Sequence, residues 1–462
     1  MKMHSAGKFP YSVEEERARV YDSRLMRRFY AYVHPYRKSV LLSVLLLMVG
    51  SAAQLLQPYL LKIAIDDHVL AGRREGLAFI ALLFLGSFAL ELLLRFAQLY
   101  TMESAGQSMV CDLRKKLFSH LQKLPAGFFD RNPVGRLMSR VTTDVEALSE
   151  LFSSGVVSII GDLIRLLAIV GILLWMDFRL ALVTFLVVPV LLGLSFYFRM
   201  QLRRAYRLIR SRLARVNAYL QENLQGIRIV QLFRQEARHS EEFRRVNREY
   251  RNAELDSVLY DSIFSSAVEL VGSLSLALLI WYGGGQVLQQ AMTFGTLVAF
   301  MEYTQKFFIP IRDLSSKFVI LQSGMAALER VFGLLDIPPA PLPERPATLP
   351  SRLRGRIVFE DVSFAYDGGP MILQGVNFRL EPGEKLALVG PTGAGKTTVI
   401  KLLVRLYETT EGRITVDGVD LRDLDPRELR RRIGVVLQDG FLFSGSIASN
   451  IGFGGSSISE ER

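Results

Sequence analysis

Residues 40–61 read VLLSVLLLMVGSAAQLLQPYLL, a run without a single charge. At a rise of ~1.5 Å per residue, a helix of this length crosses the ~30 Å hydrocarbon layer of a bilayer. The pattern recurs at 180–198 (LALVTFLVVPVLLGLSFYF) and at 270–292 (LVGSLSLALLIWYGGGQVLQQAM). Three weaker spans complete the set, and each carries an acid and a base. They are 77–99 with Glu91 and Arg95, 154–176 with Asp162 and Arg165, and 294–311 with Glu302 and Lys306. Together they predict a six-helix membrane domain.

The rest of the composition agrees. With 50% hydrophobic residues, 22% charged residues and a mean hydropathy of +0.24, the chain is too apolar for an ordinary soluble domain. It is also too charged to lie wholly in a membrane, so two unlike parts are expected. The apolar content excludes disorder as the main state. A single cysteine, Cys111, excludes a disulfide framework and a Cys-based zinc site. The histidines (His4, His34, His68, His120, His239) are scattered, so no His-rich metal site is visible.

The net charge of +11 is explained by where it sits. Residues 1–38 carry nine Lys and Arg, 101–153 seven, and 199–260 fourteen. The opposite ends of the spans are poor: Arg73 and Arg74 in 66–76, Arg179 in 175–179, none in 283–295. The positive-inside rule therefore puts both termini and the two long loops in the cytoplasm. Nucleic acid is not an expected partner, because the positive charge is accounted for beside the membrane. The first 38 residues lack the apolar core of a secretory signal. Instead Leu25, Phe29 and Val33 recur beside Arg24, Arg27 and Arg28, an amphipathic helix expected to lie in the membrane interface and to end at Pro35.

The long loops read as helix. Between 199 and 233, Leu202, Tyr206, Ile209, Leu213, Val216, Leu220, Leu224 and Ile227 keep a three-to-four spacing, with arginines opposite. The fourth span should thus continue into the cytoplasm. The first loop is interrupted at Pro125 and Pro133, leaving a short stretch that is either a contact point for another domain or a plain hairpin tip. Residues 336–350, DIPPAPLPERPATLP, hold six of the chain's seventeen prolines and mark a semi-rigid linker. Beyond it the composition turns to short strands and helices. Strands are expected at 356–366, 385–390, 412–417 and 432–438, and helices at 396–407 and 425–432, the alternation of an α/β domain.

In that second part, Gly390, Pro391, Thr392, Gly393, Ala394, Gly395, Lys396 and Thr397 match G-x-x-x-x-G-K-[ST] at every defined position. The motif follows an expected strand and opens an expected helix with Thr398 in its first turn. Its glycines let successive backbone N–H groups turn toward an anion at a helix N-terminus. Lys396 is placed for the β- and γ-phosphates and Thr397 for Mg²⁺. Tyr366 ends a strand and offers a ring for a base, although a strand-end Tyr is usually structural. Gln438 ends another, and its amide is a candidate ligand for Mg²⁺ or a water, although alone it is an ordinary turn residue.

The whole chain resembles the half-transporters of the ATP-binding-cassette exporters, in the multidrug and lipid-flippase group (type IV fold). Four stretches carry the resemblance: FFDRNPVGRLMSRVTTDVEAL at 128–148 and ENLQGIRIVQLFRQEARHSEEF at 222–243, similar to the two coupling loops; RIVFEDVSFAY with GEKLALVGPTGAGKTT; and GVVLQDGFLFSGSIASNI at 434–451, similar to the Q-loop segment. The implied fold is an all-α six-helix transmembrane domain with long cytoplasmic extensions, followed by the N-terminal half of an α/β P-loop domain. The domains are then 1–38 (tail and interfacial helix), 39–335 (membrane domain), 336–355 (linker) and 356–462 (partial nucleotide-binding domain). The resemblance implies ATP and Mg²⁺ as cofactors, adenine stacking by Tyr366, and coupling through Gln438. It implies a second half-transporter as partner and ATP-driven alternating access. It also implies an integral protein of a bacterial inner (plasma) membrane.

The sequence departs from the family pattern after Gln438. It holds no LSGGQ-like signature, no apolar strand ending in Asp-Glu, and no histidine after His239. These parts position water and stabilise charge in phosphoryl transfer, so the 462-residue chain alone is not expected to turn over ATP efficiently. It reads as part of an exporter or, alternatively, as a nucleotide-binding, non-hydrolysing partner in a heterodimer. Within the membrane, Glu91/Arg95, Asp162/Arg165 and Glu302/Lys306 are spaced for same-face pairing. They either line the transport path or neutralise one another. The aromatics Phe84, Phe88, Trp175, Phe185, Trp281 and Phe300 suggest an amphipathic or lipid-like cargo.

Overall fold

The computed structural model describes residues 22–343, 347–350, 352–436, 438 and 440–454. Its described residues form two compact units, one from 22–116 with 139–334 and the other from 117–138 with 335–454.

The first unit is helical throughout. Helix α1 (Ser23–Val33) opens with Asp22, whose carboxylate accepts from the N–H groups of Arg24 and Leu25. A 3₁₀ turn over His34–Tyr36 links it to α2 (Arg37–Ile63), as Pro35 requires. Part of the apolar stripe of α1 is taken up by protein neighbours. Phe29 is buried, and Tyr32 packs on Phe332 with ring centroids 5.6 Å apart. Leu25 and Val33, the rest of the expected stripe, are half-buried.

The expected spans lie in α2, α3 (Leu77–Leu121), α7 (Ser158–Met176), α8 (Phe178–Phe185), α9 (Val188–Gln225), α11 (Glu236–Leu288) and α12 (Phe294–Leu335). Between α3 and α7 come three short helices, α4 (Ala126–Arg131), α5 (Val134–Ser139) and α6 (Val145–Glu150); α10 (Ile227–Leu232) turns α9 into α11. Among the described residues, six helices are long and apolar enough to cross a membrane. Two details differ from expectation. The fourth span is broken between α8 and α9, because Pro189 has no N–H to continue the ladder. On α12 the stretch that length and hydropathy select among the described residues is 317–335, beside the expected 294–311. Both belong to one helix, and the Tyr303 hydroxyl donates to the Leu55 carbonyl at 2.5 Å, holding the earlier part against the uncharged run of α2.

The packing explains why these helices meet. One core gathers Leu55, Leu173, Leu180, Leu279, Phe300 and Tyr303, all nearly inaccessible. Phe300 is therefore a core residue and not part of a cargo surface, whereas Trp175 and Trp281 are largely exposed. Elsewhere in the unit α9 and α11 run side by side, tied by Arg212 and Arg215 to Glu249. On α9 the buried register is Ala205, Ile209 and Val216, while Tyr206 and Leu224 of the expected stripe are exposed.

The membrane charges also pair differently from the sequence spacing. Glu91 accepts from the Gln57 amide at 2.7 Å, and Asp162 is bonded to Lys317 of α12. Both ties cross between helices, and ionisable groups within membrane helices are expected to face the bundle interior and find polar partners there.

The second unit is built on an antiparallel sheet of order β2-β1-β3-β4. Its strands are β1 (Ile357–Ala365), β2 (Met371–Leu380), β3 (Glu411–Val416) and β4 (Val419–Asp420). Phe359 pairs with Phe378 on one side and Ile414 on the other. Helices α13 (Lys396–Leu403) and α14 (Pro426–Arg432) pack Val399, Leu402 and Leu429 on the sheet; α15 (Ile447–Ile451) follows. The β3–β4 turn places Asp417 and Gly418 at positive φ, the backbone of a tight hairpin. Strand β2 adds to the expected strands, and its Val376, Phe378 and Leu380 alternate. Conversely, 385–390 and 433–436 are not strands. Leu386, Leu388, Val389 and Val436 are exposed, because no strand among the described residues pairs with them.

Candidate nucleotide-binding site

The glycine-rich loop leaves the irregular segment 384–390 and enters α13 at Lys396. Gly393 and Gly395 have φ of 91° and 84°, in the left-handed region that disfavours other residues. At Gly395 a Cβ would also stand 2.7 Å from Leu373 Cδ2. The loop is thus pinned on β2 while its remaining backbone stays accessible. Pro391, Thr392, Gly393 and Ala394 are exposed, as is Gly390. The Ala394 N–H donates to the Pro391 carbonyl at 3.2 Å, closing the turn.

Lys396 Nζ donates to the carbonyls of Gly390 (2.9 Å) and Pro391 (2.7 Å). The ammonium therefore lies across the loop it springs from. Thr397 is exposed at the helix entrance, whereas Thr398 is buried and exchanges a hydrogen bond with the Tyr366 hydroxyl at 3.2 Å. That contact places the Tyr366 hydroxyl at the first turn of α13, next to the loop. Gln438 is exposed, and among the described residues no hydrogen bond joins it to the loop.

Residues missed by the sequence reading surround Tyr366. The Tyr407 ring stands edge-on to it, centroids 5.1 Å apart at 87°, and Lys401 Nζ lies 5.5 Å from both rings. The Tyr407 hydroxyl donates to the Asp130 carboxylate of α4, and Arg131 is paired with Asp367. Burial pushes the Tyr407 phenol well above its usual range, and donation to Asp130 pushes the same way. It remains a donor at any physiological pH. The short stretch between Pro125 and Pro133 is thus a contact point. The spacing of Tyr407 from the glycine loop held no signal for this; only the break between the prolines did.

The family description "ABC transporter transmembrane region" matches residues 40–311, and "ABC transporter" matches 373–461. The chain belongs to the ABC transporters, as an exporter-type half-transporter. It is 35% identical over 98% of its length to the uncharacterized ABC transporter ATP-binding protein YknV of Bacillus subtilis (strain 168), covering 76% of that protein. It is 31% identical over 95% of its length to the ATP-dependent lipid A-core flippase of Syntrophus aciditrophicus (strain SB), covering 73% of it. A second protein of that name, from Desulfotalea psychrophila (strain LSv54 / DSM 12343), is 31% identical over 96% of the chain, with 77% covered. The half-transporter is accordingly an integral membrane protein with an ATP-binding domain, of a family whose half-transporters generally dimerise.

Proposed function

We propose that this half-transporter binds MgATP at the glycine loop and uses it, with a second half-transporter, to move amphipathic or lipid-like molecules out of the cytoplasm by alternating access. The reading rests on the loop: left-handed glycines against β2, an ammonium lying over it, and a ring held at its helix. Backbone N–H groups of 391–396 and Lys396 would hold the phosphates, which would replace the loop carbonyls as the partners of Nζ. Tyr366 would stack on adenine. Thr397 would ligate Mg²⁺, with Gln438 as second candidate ligand. Bound MgATP supplies the free energy of phosphoryl transfer. Both termini are assigned to the cytoplasm on the charge distribution, and the membrane to the bacterial inner (plasma) membrane on the family resemblance.

The test has two readouts. In detergent, Lys396→Ala should weaken MgATP binding at least about tenfold, the loss of a charge-assisted contact; unchanged affinity would overturn the site. In inside-out vesicles from cells that carry the transporter, ATP should drive uptake of a lipophilic dye, and Lys396→Ala should abolish it. Equal uptake with and without ATP would overturn export.

A further inference from the structure

Between α1 and α3 the helical unit leaves an open cleft of about 470 Å³, the size of a small-ligand site. Two faces line it. Arg28, Tyr32 and Tyr36 recur every four residues on one side, and Met109, Asp112 and Lys116 follow helical spacing on the other. The faces run antiparallel and are joined by two rungs. Lys116 Nζ donates to the Tyr32 hydroxyl at 2.9 Å, and the Tyr36 hydroxyl donates to the Asp112 carboxylate at 2.6 Å. Phe332 of α12, itself inaccessible, holds the first face in place: Arg28 lies over its ring at 4.5 Å and Tyr32 packs on it at 5.6 Å.

The charges of the cleft are unequal. Asp112 already accepts from Tyr36 and has Lys115 Nζ at 3.6 Å. Lys116, by contrast, is bonded to a neutral hydroxyl, and among the described residues no carboxylate pairs with it. The Tyr32 hydroxyl accepts from Lys116 and keeps its own proton to donate. With the planar N–H fork of Arg28, the cleft offers two cations and a hydroxyl, a donor set for phosphate oxygens. Depth indicates which phosphate. Tyr36 stands four residues before Val40, where the uncharged run of α2 begins. That is ~6 Å of helix, the layer of lipid headgroups beside the hydrocarbon. The Ser43 hydroxyl donates to the Gln98 carbonyl at 3.2 Å, which keeps α3 alongside at this level.

We propose that this cleft holds the headgroup phosphate of a membrane phospholipid, with Arg28, Lys116 and the Tyr32 hydroxyl as its donors. The leaflet is the cytoplasmic one, following the charge-based assignment of α1. The lipid is resident, a ligand that staples α1 to α3, and all residues of the site belong to the helical unit.

The experiment titrates the full chain in detergent with phosphatidylglycerol, or with diacylglycerol of the same chains, and counts bound lipids by native mass spectrometry. The first phosphatidylglycerol should bind at least about tenfold tighter than diacylglycerol, the value of charge-assisted hydrogen bonds. Arg28→Gln with Lys116→Gln should remove that advantage. Ala31→Trp, which fills the cleft from an exposed position and leaves every charge in place, should remove it too. Unchanged lipid-free unfolding midpoints report folding, and Ala31→Trp decides should loss of Arg28 destabilise α1. The single cysteine, Cys111, is exposed directly before Asp112. Its alkylation by a polar maleimide should slow severalfold with phosphatidylglycerol in the parent and not in Ala31→Trp. Equal affinity for the two lipids, or full retention of phosphatidylglycerol in both variants, would overturn the site. Displacement of the lipid by millimolar inorganic phosphate would make it a site for a soluble anion and overturn the lipid assignment. Unaltered Cys111 alkylation would place the bound lipid elsewhere and overturn the proposal.

Discussion

Residues 40–61 and 386–389 are both uncharged and mainly apolar runs, yet the first is helix and the second has no regular structure. The difference lies in where the backbone finds its partners. A helix bonds each N–H to a carbonyl four residues back, so a long apolar run is self-sufficient and only its side chains await neighbours. A strand must borrow every hydrogen bond from another segment. Strands β1, β2 and β3 find each other across short connections or one helix, and they form. Among the described residues 386–389 find no strand, and Val389 is left 91% exposed.

Hydrogen exchange would sharpen this contrast most. Amides of 386–389 should exchange at close to the unprotected rate. Those in the middle of α2 should be slowed by a factor of about 10³ or more, the usual span between open loops and a folded core. Equal protection in the two runs would mean that 386–389 pairs after all.

The next largest effects should come from the interactions that each unit cannot make locally. In the helical unit, Lys317 and Asp162 join α12 to α7, with side chains 15% and 19% exposed. Lys317→Gln leaves a carboxylate alone in an apolar setting and should destabilise the unit by about 3–5 kcal/mol, read as a lower unfolding midpoint in detergent. Adding Asp162→Asn should restore most of that. A double variant as unstable as the single would show that the charge is not what matters. In the nucleotide unit, Phe359 is buried and stacked on Phe378 at 4.3 Å between centroids. Phe359→Ala should cost about 3–5 kcal/mol and lower ATP binding, while the helical unit keeps its own unfolding midpoint. A common loss in both units would break the description of two separate units.

The same contrast explains what was legible in the sequence. The six apolar spans, the break around 125–133, the Pro-rich linker and the glycine loop are local patterns, and each could be read from residues near one another. Cross-helix choices could not. Glu91 takes Gln57 rather than Arg95, and Asp162 takes Lys317 rather than Arg165, because spacing on one helix says nothing about which helix lies alongside. The break at Pro189 is readable in principle but is outweighed by an otherwise continuous apolar run. At the site, Lys396 and Thr397 came from a motif, and Tyr366 from its place at a strand end and the family resemblance. Asp130 and Arg131 lie in the stretch that resembles a coupling loop, but their pairing with Tyr407 and Asp367 was not legible, since these residues meet only after β1, α4 and the segment following α13 have been brought together.

Close approach gives a smaller test. Gly324 of α12 lies so near Leu151 that a Cβ would stand 2.5 Å from the Leu151 Cβ. Gly324→Ala should therefore cost about 1–3 kcal/mol by forcing the helices apart. A Cβ on Gly333 would meet nothing within 4 Å, so the same change there should be tolerated or gain slightly from helix propensity. Equal effects at the two positions would mean that α12 is not held where the packing puts it.

The smallest expected effect concerns the one kind of local interaction that still needs a distant residue, a helix cap. The Asp66 carboxylate accepts from the Gly295 N–H at 2.7 Å and from the Thr293 hydroxyl at 2.6 Å, so the first turn of α12 is capped by a residue beyond the end of α2. Asp22 does the same job for α1 from the adjacent position in sequence. Either Asp→Ala change should cost about 1 kcal/mol, the usual value of a lost N-cap. The two should differ in reach. Loss of Asp22 frays α1 alone, whereas loss of Asp66 also frees the outer end of α2 from α12, and faster exchange should then appear at residues 60–66 as well as at 294–298. Exchange that rises only at the start of α12 would reduce Asp66 to an ordinary cap and remove it as a link between the two helices.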